Sequence, residues 1–137
     1  MLFRSTDMVS DADRASERLI VERILAARPG DAILGEEGGE RPGTSGVRWI
    51  VDPLDGTTNY LYGQPGFCVS IGVEVAGAGV VGVVFDPSHD ELFAAVHGQG
   101  AMRNGEPIRV TAQATWRWRY SAPASTTAPR RAPCRGA

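Results

Sequence analysis

The run Trp49-Ile50-Val51-Asp52-Pro53-Leu54-Asp55-Gly56-Thr57-Thr58-Asn59-Tyr60 is the stretch that most constrains this chain. An apolar, strand-like segment delivers Asp52. Pro53 denies its own position a ladder hydrogen bond and biases Asp52 toward extended backbone, and a second carboxylate follows at Asp55. The spacing predicts a strand stopped by Pro53, a turn on which two carboxylates converge, and a helix start. Converging oxygen donors suit a hard divalent cation such as Mg²⁺, which keeps coordination positions for substrate phosphate. Gly56 lets backbone approach closely, and the N–H groups of Gly56, Thr57 and Thr58 at a helix start form an anion site. A cation site beside an anion cradle points to phosphoryl chemistry.

The rest of the chain bounds where such a device can sit. Its 137 residues suffice for one domain with a core. No apolar run approaches the roughly 18 residues needed to span a bilayer. Met1-Leu2-Phe3-Arg4 leads into polar sequence and not into a signal-peptide core, so a cytoplasmic protein without membrane contact is expected. Residues 1–114 hold nine Arg and sixteen carboxylates, whereas residues 115–137 hold five Arg and no acid. The acidic body, 1–114, argues against general nucleic-acid binding. The tail, 115–137, is built mainly from Ala, Pro, Ser, Thr and Arg, which cannot build a core, and is expected to be disordered. Its Trp116-Arg117-Trp118-Arg119-Tyr120 could stack on nucleic acid, but the duller reading is favoured. Cys68 reads as a buried thiol in an apolar strand and Cys134 lies in the tail, so no disulfide framework is expected.

Along the body, Ser10 and Asp13 resemble a capping pair, and Ala15, Leu19, Ile20, Ile24 and Ala27 recur at helical spacing up to Arg28-Pro29-Gly30. On position alone Asp13 is a first-turn helix acid. Ala32-Ile33-Leu34 leads to Gly35-Glu36-Glu37-Gly38-Gly39, where adjacent acids between glycines usually mark a solvated loop; the alternative turns Glu36 inward to a cation. Residues 40–46 read as a flexible connection. Phe67–Val75, Val80–Phe85 and Leu92–Val96 are β-rich runs separated by turn residues, and Asn104-Gly105 is a tight-turn signal, so consecutive antiparallel strands are expected. His89 and His97 read as structural or surface residues, with no zinc site.

Taken together these segments resemble the Mg²⁺-dependent, lithium-sensitive inositol monophosphatases. The resemblance runs through Ser5-Thr6-Asp7 to Asp13, Gly35-Glu36-Glu37, Trp49 to Tyr60, Phe67 to Gly72, Val81 to Pro87 and Asn104 to Ile108, over roughly residues 5–111. It implies an α+β fold, an antiparallel sheet with a packed helix, equivalent to the N-terminal half of that family's sandwich. It implies that Glu36, Asp52 and the Leu54 carbonyl hold one Mg²⁺ and that Asp52 and Asp55 hold a second. Thr57 would orient the attacking water with Asp13 bonded to it, Glu36 would share in catalysis, and the Gly56 and Thr57 N–H groups would grip phosphate. The substrate implied is a small phosphorylated alcohol such as inositol 1-phosphate, with lithium as inhibitor.

Two departures accompany the resemblance. Leu2 stands where the family carries a Lys, and the family's second half, expected from near residue 112, gives way to the Arg/Pro tail. A truncated body would leave apolar sheet surface exposed, so the competing expectation is an inactive fragment serving as an interaction module or homodimer.

Overall fold

The computed structural model describes residues 11–111. The Thr6-Asp7 run, the Ser10 cap and the 115–137 tail lie outside the described residues. Helix α1 (Asp11–Ala27) is followed by β1 (Ala32–Gly35), β2 (Gly39–Arg41), β3 (Val47–Asp55), the short helix α2 (Thr57–Leu61) and β4 (Cys68–Val75). Strands β5 (Ala78–Asp86), β6 (Glu91–Val96), β7 (Gly100–Arg103) and β8 (Glu106–Ile108) complete the described part. The strands form one sheet in the order β2-β1-β3-β4-β5-β6-β7-β8.

From β3 onward every neighbour is antiparallel and consecutive, as the β-rich runs and turn residues predict. Asn104 and Gly105 take φ of 50° and 83°, the left-handed pair that a two-residue hairpin turn requires. Two features depart from the sequence reading. β1 pairs parallel to β3, with Ile33 opposite Trp49 and Gly35 opposite Val51. Residues Gly39–Arg41, read as part of a flexible connection or the loop before it, instead fold back beside β1 as β2. Three polar residues carry no hydrophobic period, and their strand state comes from pairing to β1.

Pro53 does not end the strand. β3 continues to Asp55, and the ladder to β4 skips between Asp52, opposite Ser70, and Asp55, opposite Cys68. The proline lacks the N–H for a rung there, so the chain bulges and resumes.

Registered partners share a face, so Ile33, Trp49, Val73, Val81 and Val96 form one row across the sheet, and Val51, Ile71, Val83, Ala94 and Met102 a second on the same side. Helix α1 lies on this face but covers only its β1–β3 end. Ile24 packs with Ile33 and Val51, ringed by Ile20, Val21, Leu25 and Trp49. The stripe expected from periodicity is therefore rotated: Leu19 is 55% exposed, and Ala15 and Ala27 face solvent. The buried face of α1 begins instead with Asp13 and Glu17, 2% and 6% exposed, and passes through Val21 to Ile24. No helix among the described residues is long and apolar enough to cross a membrane.

Candidate functional site

The parallel β1/β3 pair explains why the two acidic segments meet. Parallel strands bring their C-terminal ends to one edge, so the turn after β1, carrying Glu36, lies beside the Asp52 end of β3. Glu36 N–H continues the pairing by donating to the Val51 carbonyl at 3.1 Å. Asp52 shares its face with Ile50 and Leu34, and these residues with Gly35, Glu36 and Val51 line a shallow hollow. The carboxyl groups of Glu36 and Asp52 stand close enough for a shared proton to bridge them. That contact, with partial desolvation and the charges of Asp52, Glu37 and Asp13, pushes Glu36 above the ordinary carboxylate range. Glu36 thus faces Asp52 while remaining solvent-exposed, so the turn is a solvated loop that also meets the second acid.

Asp52 also accepts from the N–H of Leu54 through Oδ1 at 3.2 Å, a side-chain turn that steadies the bulge at Pro53. Leu54 is buried, and its carbonyl accepts from the Thr57 hydroxyl at 3.0 Å. The same hydroxyl stands 3.3 Å from Asp13 Oδ1, so Thr57, the first residue of α2, links helix α1 to the end of β3. Asp13 is therefore not a solvated helix acid. Asp55 is directed elsewhere: its Oδ2 accepts from Cys68 Sγ at 3.8 Å. Burial, then Asp55, raises the pKa of that thiol, which is half-buried and not enclosed in a core.

Gly56 takes φ 83° and ψ 35°, and a Cβ there would stand 2.6 Å from the Gly66 carbonyl oxygen. Close packing of the chain against itself thus accounts for this glycine. Asn59 donates to the same Gly66 carbonyl at 2.8 Å, and the Tyr60 and Phe67 rings meet edge to face at 5.3 Å, holding α2 against the start of β4.

Of the expected metal ligands, the structure brings Glu36 and Asp52 together and sets the Leu54 carbonyl two residues beyond Asp52. Asp55 follows three residues after Asp52, with its Oδ2 in contact with Cys68 Sγ. Among the described residues no three His, Cys, Asp or Glu side chains are grouped as a metal site would need. The donor chemistry still fits Mg²⁺: carboxylates and a carbonyl are hard oxygen ligands, and two facing carboxyls are an arrangement a divalent cation would relieve.

Three polar residues of this region were not assigned to the site by sequence reasoning, Glu17 being read only as an acid of the helix start. Ser16 donates to the Pro53 carbonyl at 3.1 Å. Glu17 accepts from Glu37 N–H at 3.0 Å and from Gly38 N–H at 2.8 Å. Asp31, 2% exposed, accepts from Ser45 Oγ at 2.6 Å and Trp49 Nε1 at 2.9 Å and pairs with Arg28 at 2.5 Å. These bonds, Ser45's first, hold the Asp31 pKa down to about 2. A polar stripe at 13, 16 and 17, in line with the apolar stripe, was the available signal.

Comparison with known proteins shows the family and the fold. The model of the inositol monophosphatase family matches residues 3–132. An inositol-1-monophosphatase of Rhizobium meliloti is 53% identical over 108 residues, which cover 78% of this chain and 41% of that protein. The Nus factor SuhB of Salmonella typhimurium is 46% identical over 106 residues, covering 77% of this chain and 40% of the relative. The crystal structure of the extragenic suppressor protein suhB from Bartonella henselae superposes with a TM-score of 0.74 at 49% identity, covering 77% of this chain and 42% of that one. The chain spans about two fifths of the length of the curated relatives it matches.

Proposed function

Because this chain belongs to the inositol monophosphatase family, we propose that it carries the metal- and phosphate-binding side of a Mg²⁺-dependent phosphomonoesterase acting on a small phosphorylated alcohol such as inositol 1-phosphate. The observation that supports this most is the Glu36–Asp52 carboxyl pair standing beside the Asp13–Thr57–Leu54 linkage at one sheet edge. Glu36, Asp52 and the Leu54 carbonyl would hold one Mg²⁺, and Asp52 with Asp55 a second once Asp55 turns from Cys68. Bound there, the metal supplies Lewis acidity that lowers the pKa of water and neutralises phosphate oxygens. Thr57, its hydroxyl shared between Asp13 and the Leu54 carbonyl, is placed to orient a water. Asp13 holds that hydroxyl in position, Glu36 would serve beside it, and the Gly56 and Thr57 N–H groups would grip the phosphate. Lithium would compete at the metal sites.

Titration calorimetry with Mg²⁺ on the wild type and Asp52→Asn tests the site. Binding weakened by about tenfold or more in the variant is expected; identical isotherms reject the assignment.

A second reading is favoured by the open end of the sheet, where Val75, Leu92 and Met102 are among the exposed large apolar residues. In it the chain is a catalytically inactive interaction or homodimer module. Phosphate release from inositol 1-phosphate separates the two. Turnover abolished by Asp55→Asn excludes the module; no turnover at any Mg²⁺ concentration excludes the enzyme.

A further inference from the structure

The turn bearing Glu36 is tied at its base by the Gly35–Gly39 pair and by the Glu36 N–H on the Val51 carbonyl, and neither contact takes up the N–H groups of Glu37 and Gly38. The turn is three residues long, solvent-exposed, and flanked by Gly35 and Gly39 at the ends of β1 and β2. What holds those two amides comes from α1. The Glu17 carboxylate, 6% exposed, reaches across 20 and 21 residues of sequence and accepts the backbone N–H groups of Glu37 and Gly38, one on each oxygen. The neighbouring glycines fit this contact closely. A Cβ at Gly35 would lie 2.0 Å from Glu17 Oε1, and one at Gly38 2.5 Å from the same atom. Neither needs a left-handed backbone, so their lack of a side chain is explained by room for the carboxylate and not by turn geometry.

Glu17 does not stand alone. Asp13 and Ser16, one turn or less before it on the same helix, bond to Thr57 and the Pro53 carbonyl. One helical face therefore grips both acid-bearing segments, the turn after β1 and the bulge ending β3.

We infer that Glu17 is a positioning residue that holds the 36–38 turn so that Glu36 meets Asp52, which would set the geometry of the first metal position. The inference rests on the metal reading above. Loss of the Glu17 contact would free the turn and move Glu36 while leaving the ligand set chemically intact. Outer residues that orient metal ligands commonly change affinity by about 10- to 100-fold.

The test is Mn²⁺ titration of the full chain together with amide hydrogen exchange at Glu37 and Gly38. In Glu17→Gln one oxygen becomes an NH₂ that faces an N–H, so one bond is lost. Gly38→Ala attacks the same contact from the other side and serves where the first variant folds poorly. Either change should weaken Mn²⁺ binding about tenfold or more and speed exchange at both amides. Glu22→Gln, a solvent-exposed change on the same helix, should do neither. In a Glu17→Ala background Gly38→Ala should add little, because the carboxylate it collides with is gone. Unchanged exchange in Glu17→Gln overturns the inference, and so does faster exchange with unchanged Mn²⁺ affinity. A wild type that binds no Mn²⁺ rejects the metal reading instead. Exchange then decides the positioning role alone: accelerated amides support it, unchanged amides overturn it.

Discussion

The two ends of the sheet are stabilised in different ways. At the β1–β3 end, α1 covers the apolar face, and buried carboxylates bind segments distant in sequence: Asp13 to Thr57, Glu17 to Glu37 and Gly38, Asp31 to Ser45 and Trp49. From β4 to β8 the chain is a meander joined by backbone ladders and tight turns, and its half-buried apolar rows have no helix over them among the described residues. Backbone pairing alone forms strands, but it does not aim side chains. The candidate chemistry lies where polar groups are locked from two sides.

That contrast predicts unequal responses to core truncation. Ile33→Ala, at a position 2% exposed beneath α1, should destabilise by about 2–5 kcal/mol in chemical denaturation. Met102→Ala, in the row that runs out from Val51 but 37% exposed, should change stability by less than about 1 kcal/mol. Equal losses would mean that the meander face is covered in solution.

Asp31 gives the next largest effect. Its folded pKa of about 2 lies below the ordinary 3.8, so its contribution is present above pH 3.8 and is lost as pH falls toward 2. Asp31→Asn should unfold more readily at neutral pH. Between pH 3.8 and 2 its stability should fall less steeply, by up to about one proton taken up on unfolding. Tryptophan fluorescence during acid unfolding reads this directly, since Trp49 is one of the donors. Parallel acid limbs in the two proteins would show that the Asp31 hub does not couple to folding.

The meander was legible in the sequence because its signals are local: β-rich runs at Phe67–Val75 and Val80–Phe85, and Asn104-Gly105 at a turn. The Asp52–Thr57 block was legible because residue chemistry and spacing speak together. Asp13, read by position alone as a helix acid, and Glu17 looked alike as acids near a helix start. Only long-range packing turns them inward, and their line with the apolar stripe of the helix was the one local sign of it. The parallel β1/β3 pairing was hidden for a related reason. Ile33 and Trp49 are brought together by the excursion through β2, a polar segment with no period of its own. Pro53 marked a break in pairing, yet the strand resumes because Leu54 is buried and Asp55 pairs again opposite Cys68.

The smallest effect belongs to the turn between β5 and β6, where a charged contact is made entirely at the surface. Asp86 Oδ1 accepts from the N–H groups of Ser88 at 2.8 Å and His89 at 3.2 Å, while Oδ2 stands 2.8 Å from His89 Nδ1. The hydrogen bond between the two side chains raises His89 above 6.5 and lowers Asp86 below 3.8. The His89 contribution is therefore complete below pH 6.5 and disappears as pH rises through its elevated value. The Asp86 contribution disappears as pH falls below 3.8. In Asp86→Asn the His89 ring, followed by NMR, should titrate back near 6.5, while the unfolding midpoint stays within measurement error because exposed pairs are screened by water and salt. A large loss of stability would place the turn among the locked elements of the β1–β3 end, and the division between the two ends would have to be redrawn.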